Sequence, residues 1–120
     1  MSTAQNKMSL SVLLRELQQT QPTLLFAEVL ATIKQHYHYT PTSFRNGPLF
    51  NAKGENEGSC IIFAFAALQQ LNPEQTLQCF GEHYQLVQAT PHDNTHRNIR
   101  QFMQTGPTAV TFTHFPLTKK

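Results

Sequence analysis

A chain of 120 residues has the length of one ordinary domain, and 39% hydrophobic residues with nine Phe can fill a core, which excludes a disordered protein. Charged residues are only 13%, the net charge is +2, and Lys and Arg are scattered without interleaved aromatics, which counts against a nucleic-acid footprint. Two cysteines, Cys60 and Cys79, are too few for a disulfide scaffold and fit a reducing compartment, and the longest apolar stretch, residues 60–68, is about half of the ~20 residues that a membrane helix needs.

The start, MSTAQNKMSLS, is polar and lacks the charged and then apolar pattern of Sec export. Residues 1–8 read as a disordered tail, although a Ser/Thr/Gln-rich start also suits type III secretion. Leu10, Leu13, Leu14 and Leu17 then recur at helical spacing, with Ser9 as N-cap and Gln21-Pro22 as the stop. A second helix is expected from Pro22 in its first turn to about His36, with Phe26, Val29, Leu30, Ile33 and Tyr37 as its apolar stripe.

Residues 40–58, TPTSFRNGPLFNAKGENEG, are interrupted by Pro and Gly throughout and read as one long loop. Loops beyond about 12 to 15 residues are uncommon in compact domains and are often functional. Phe44, Leu49 and Phe50 are expected to pin this one to the core, with a short hairpin at Asn46-Gly47.

The segment SCIIFAFAALQQL, opening with Ser59 as N-cap, is apolar on nearly every face and reads as the buried central helix. Asn72-Pro73-Glu74-Gln75 supplies an N-cap, a first-turn Pro and a capping-box Gln for a fourth helix carrying Leu77, Phe80 and Tyr84. Gly81 lies inside it and is expected to allow close helix packing or approach of the long loop. Tyr37, Tyr39 and Tyr84 read as core edges. A fifth helix over residues 95–104 stops at Gly106-Pro107, and residues 109–115 alternate as a strand, for which the loop near Ser43 to Asn51 is the natural partner. The expected architecture is a mainly α domain of about five helices with a small antiparallel β element, single, compact and α+β-like. It spans residues 9–116 and leaves 117–120 as a C-terminal tail.

Residues 44–67, FRNGPLFNAKGENEGSCIIFAFAA, with QTLQCFGEHY and HRNIRQFMQTG after them, resemble the HopJ family, which is named after a bacterial type III effector. The resemblance covers roughly residues 13–112. It implies a bacterial domain of unassigned chemistry whose recurrent residues match Asn46, Gly47, Asn51, Gly54, Asn56, Gly58, Ser59, Cys60, Phe80, Gly81, His96, Asn98, Arg100 and Phe102. The chain departs from the family pattern at His36, His38, His92 and His114, at Ile61, where a basic residue commonly follows the cysteine, and at Pro107.

Three constellations carry possible chemistry. The junction Gly54-Glu55-Asn56-Glu57-Gly58-Ser59-Cys60 runs into a helix start, where free amides and the helix dipole suit an anion. It lacks the Lys-Ser/Thr ending of a nucleotide-binding loop, and Glu55 and Glu57 oppose phosphate, so its glycines and asparagines also read as simple loop formers. Cys60 at that start can be a nucleophile with a lowered pKa, with His96 or His83 as base and Asp93 or Asn98 as orienting group; equally, it can be a packed, inert thiol.

His96 and Arg100 share a helical face and can hold an anion or lock the long loop through Glu55 or Glu57. The pairs His36-x-His38, His92-xxx-His96 and Cys79-xxx-His83 arise by chance in a His-rich chain, so no metal or cofactor is expected. The leading reading is a domain that binds a small anionic ligand, or a host or bacterial protein, through Asn46, Asn51, Asn56, Ser59 and Arg100. A hydrolase or transferase using Cys60 and His96 is the alternative. No nucleic-acid or membrane partner is expected, and the location is the bacterial cytoplasm, with type III secretion as a possible route out of it.

Overall fold

The computed structural model describes residues 8–120, so of the expected N-terminal tail only Met8 is described. It packs against the core, and its carbonyl accepts a bond from Thr32 Oγ1 at 3.2 Å. Among the described residues there are six α-helices: α1 (Leu10–Glu16), α2 (Phe26–His36), α3 (Glu57–Gln69), α4 (Pro73–Gln78), α5 (Glu82–Ala89) and α6 (Arg97–Thr105). Ser9 caps α1 as expected, its side chain accepting from Val12 N. The capping box of Asn72 and Gln75 starts α4, with Gln75 N donating to Asn72 Oδ1 at 2.7 Å and Asn72 N to Gln75 Oε1 at 3.0 Å.

Helix boundaries differ from the sequence reading at several places, α6 among them, which begins at Arg97 and not at residue 95. α2 begins at Phe26 and not near Pro22, because Glu82, far along the chain, accepts from Phe26 N at 2.8 Å and fixes the start there. α3 begins two residues before Ser59, with Asn56 as N-cap at φ 51°. The expected fourth helix is two, because Gly81 at φ 56° breaks it into α4 and α5. A Cβ on Gly81 would stand 2.7 Å from both Leu24 O and Phe26 N, so the close approach it permits is to the chain entering α2, not to the long loop.

The strands are β1 (Tyr37–Tyr39), β2 (Phe44–Asn46), β3 (Leu49–Asn51), β4 (Val110–Phe112) and β5 (Leu117–Lys119). β2 and β3 form the hairpin foreseen in the long loop, with Gly47-Pro48 as its two-residue turn and Gly47 at φ 59°. β4 pairs antiparallel with β2, Phe44 opposite Phe112 and Asn46 opposite Val110, which supplies the partner expected for the last strand. A second, two-stranded antiparallel sheet joins β1 and β5 with Tyr39 opposite Leu117, so residues 117–119 are a paired strand and not a loose tail. Leu117 is buried there.

α3 is the centre. Cys60 to Ala66 are buried without a break, so no face of this helix meets water over two turns. Phe63 is its hub: its ring stacks on Phe102 of α6 at 5.0 Å and meets Phe80 at 5.7 Å and Phe44 at 6.2 Å edge-on. That cluster ties the β2–β3 hairpin and α6 to the same central helix. The hairpin and α6 are the two walls between which the candidate site lies. Among the described residues no helix is long and apolar enough to cross a membrane.

Candidate functional site

Four asparagines join the long loop to α6. Asn46 Nδ2 donates to Asn98 O at 2.9 Å and to Asn98 Oδ1 at 3.0 Å, and Asn51 Nδ2 donates to the same Oδ1 at 3.3 Å. In return Asn98 Nδ2 donates to Asn51 Oδ1 at 2.9 Å, and Asn56 Nδ2 donates to it at 2.7 Å. Asn46, Asn51 and Asn98 are buried, where an amide must find partners or lose the hydration it gave up. Among the described residues Asn46 Oδ1 is the one buried side-chain polar atom with no partner. Asn56 is the N-cap of α3 and Asn98 the second residue of α6, so this network fixes the spacing of two helix starts.

Both starts open on one cleft of about 1020 Å³, whose walls include Pro48 to Asn51, Asn56, Gly58, Ser59, His83 and Asn94 to Ile99. The N-caps, Asn56 and His96, both sit at φ 51°, and neither donates or accepts a side-chain capping bond among the described residues. The first bond of α3 runs from Cys60 N to Asn56 O, which leaves the amides of Glu57, Gly58 and Ser59 with no partner inside the helix. In α6 the first bonds run from Ile99 N and Arg100 N to His96 O, leaving the amides of Arg97 and Asn98 in the same position.

The floor is held by Phe26. A Cβ on Gly58 would lie 2.6 Å from Phe26 Cζ, so only glycine lets this ring lie on the first turn of α3. The Phe26 ring also meets His83 edge-on at 4.7 Å, and His83 faces His96 at 4.8 Å. Burial, the neighbouring His83 and the Arg100 charge hold the His96 imidazole below its usual range, against a weaker opposing pull from Asp93. Glu55 also lines the cleft, but its Oε1 accepts from Ala52 N at 2.9 Å within its own loop.

The residues expected from sequence fall into three places. Asn51, Asn56, Ser59 and His96 line the cleft, with Asn51 also part of the buried network; Asn46 lies behind it, wholly buried. Arg100 does not line it. Its guanidinium donates to Thr90 O at 2.7 Å, to Thr90 Oγ1 at 3.0 Å and to Thr95 O, clamping the α5–α6 connection from within. Neither Glu55 nor Glu57 is its partner, and the cation at the cleft is the exposed Arg97.

Cys60 is 1% exposed and is not part of the cleft wall. Burial pushes its thiol up to about 11, against a lowering effect of the nearby Tyr39 hydroxyl, and the Glu57 carboxylate adds to the rise. The lowering expected from a helix start is outweighed. Cys79 is wholly buried, its thiol pushed up to about 12. Among the described residues no three His, Cys, Asp or Glu gather where they could hold a metal ion.

Phe50, expected to pin the loop, is 57% exposed at the cleft; Phe44, at 1%, does the pinning. Strand alternation carries the reason, since Leu49 and Asn51 face inward on either side of Phe50. Sequence offers His83 as a base for Cys60 or as one half of the Cys79-xxx-His83 pair, and not as a neighbour of His96 in a cleft. Its place beside His96 depends on the break at Gly81, which helical periodicity hides.

No curated protein matches the chain. A solved crystal structure, that of the protein VPA0580, described as of unknown function, is 42% identical and superposes with a TM-score of 0.90 over 95% of this chain and 96% of that one. The family model described as HopJ type III effector protein matches residues 10–117, nearly the whole described chain. With the resemblance of the Asn/Gly-rich loop and of α6 now matched by the family model across both walls of the cleft, the chain belongs to the HopJ family.

Proposed function

We propose that this domain binds a small anionic ligand in the cleft between the asparagine- and glycine-rich loop and the start of α6. The observation that carries the reading is the convergence of two helix starts, α3 and α6, on one cleft, lined by Gly58, Ser59, Arg97 and Asn98, whose amides have no partner inside their helices. Each helix start presents about half a positive charge and unpaired N–H donors, and two facing one space reinforce each other. Arg97 adds a full charge, and His96 adds more when protonated. Glu55 also lines the cleft, but its Oε1 is taken up by Ala52 N in its own loop.

Sulfate tests this, because its charge is constant from pH 5 to 8. The expected result is a saturable shift of the Gly58, Ser59, Arg97 and Asn98 amide resonances. Because the fold holds the His96 imidazole below its usual range, an anion that favours its protonated form should bind more tightly at pH 5.5 than at pH 7.5. Shifts that are absent there, or no larger than at the self-capped start of α4, would overturn the reading.

The thiol alternative, a hydrolase or transferase using Cys60 with His96, has less behind it: the sulfur is buried, its pKa is raised, and His96 faces His83 in a cleft that Cys60 does not line. For location, the family's description and the polar MSTAQNKMSLS start support a bacterial protein delivered by a type III system. A reporter fused to that segment and translocated no better than from a secretion-deficient strain would remove this part of the proposal.

A further inference from the structure

The two helix starts, with Asn51 and Glu55, account for the polar part of the cleft, and the rest of its lining is apolar. Pro48, Leu49 and Phe50 on the β2–β3 hairpin line it, with Phe26 and Phe80 at its floor. Phe50 is the most exposed of the large hydrophobic residues among those described, at 57%. Its position is nevertheless fixed, because it sits in β3 directly opposite Arg45 of β2 and the Arg45 guanidinium stands over its ring, 5.1 Å from the centroid. One face of the ring is thereby covered by a cation, and the other remains for a partner.

A cleft of about 1020 Å³ also holds far more than an inorganic ion and falls in the size range of organic ligands. The ring is small, rigid and already oriented, so a second ring can pack on it with little loss of freedom.

We propose that the ligand is an aromatic anion, a single-ring carboxylate or phosphate monoester, with its acid group at the starts of α3 and α6 and its ring on Phe50. This rests on the anion reading and adds the chemistry of the ligand's other end. A ring meets Phe50 on the face opposite Arg45, and the guanidinium polarises the stack from behind. An aliphatic anion of equal size fills the same space without the ring-on-ring contact.

The test compares phenyl phosphate, butyl phosphate and inorganic phosphate on the full chain, by calorimetry or by shifts of the Gly58 and Asn98 amides. Phenyl phosphate should bind about tenfold more tightly than inorganic phosphate, with butyl phosphate between them. Phe50→Ala should bring the phenyl-to-inorganic ratio close to one, whereas Phe50→Tyr should keep it. Because the side chain is exposed, an unchanged urea midpoint will show that each variant is folded. Equal affinities for phenyl and butyl phosphate, or a ratio that survives Phe50→Ala, would overturn the aromatic proposal while the anion reading stands. If inorganic phosphate and both esters all fail to bind, the anion reading fails and this inference with it.

Discussion

Four of the helices begin in two contrasting ways. α1 and α4 cap themselves from the adjacent sequence, through Ser9 and through the reciprocal pair Asn72 and Gln75. α3 and α6 do not: each is entered through a left-handed residue, Asn56 or His96, whose side chain does not cap the helix among the described residues. A non-glycine residue at positive φ costs about 1 to 2 kcal/mol, so these two starts give up both a cap and a relaxed backbone. Such a start survives only where surrounding structure holds it, and here the asparagine network does so from behind. The lesson is that the self-capped starts close the fold, while the strained ones leave their donors facing a shared space.

Removing the tie between the two strained starts gives the largest expected effect. In Asn98→Ala, Asn51 Nδ2 loses its acceptor, Asn51 Oδ1 loses one of its two donors, and Asn46 Nδ2 keeps only the Asn98 backbone carbonyl. Orphaned buried amides and the small void should cost about 3 kcal/mol in urea denaturation. Because Asn98 also sets where α6 begins, sulfate affinity at the cleft should fall in the same variant. A loss below about 1 kcal/mol would mean that the network is filled by water as readily as by an amide, and that it does not hold the strained starts.

Opposite behaviour is expected at a self-capped start. Asn72→Ala removes the acceptor of Gln75 N and should cost about 1 kcal/mol, with no change in sulfate affinity. If the cleft weakened as well, the two kinds of helix start would be energetically coupled and the contrast between them would lose its meaning.

That contrast also explains what could be read from sequence. Ser9 and the Asn72-Pro73-Glu74-Gln75 run announce their helices because the capping chemistry is local, within three residues. The start of α2 was placed too early because its cap, Glu82, comes from 56 residues away. Gly81 is helix-compatible in a periodic pattern, and only the backbone of residues 24–26 pressing on it shows why the helix must break there. The cleft was legible in outline, since Asn51, Asn56, Ser59 and His96 all reach it. Arg100 was not, because helical spacing puts it one turn from His96 but cannot show that the α5–α6 connection folds back over its guanidinium. β5 was missed because three residues opposite β1 carry no period long enough to see.

The smallest effect belongs to α2, which stands between the two kinds of start. Its first amide, Phe26 N, is met by a carboxylate from elsewhere in the chain, so Glu82 does for α2 what the proposed ligand does for α3 and α6. The bond to Phe26 N holds the Glu82 carboxyl below its usual range, against a smaller opposing effect of burial. A folded pKa below the unfolded one means that the unfolded chain binds more protons in acid. The contribution is therefore complete above the unfolded value, near about 4.3, and is lost as pH falls through the folded one. Glu82→Gln keeps an acceptor oxygen but removes the charge, and should cost about 0.5 kcal/mol at pH 7 in low salt. The two proteins should converge in stability as pH falls below the folded value, and at neutral pH when salt screens the exposed carboxylate. A difference that persists unchanged in acid, once the carboxyl is protonated, would assign the effect to packing at the start of α2, and the analogy between Glu82 and a bound anion would fall.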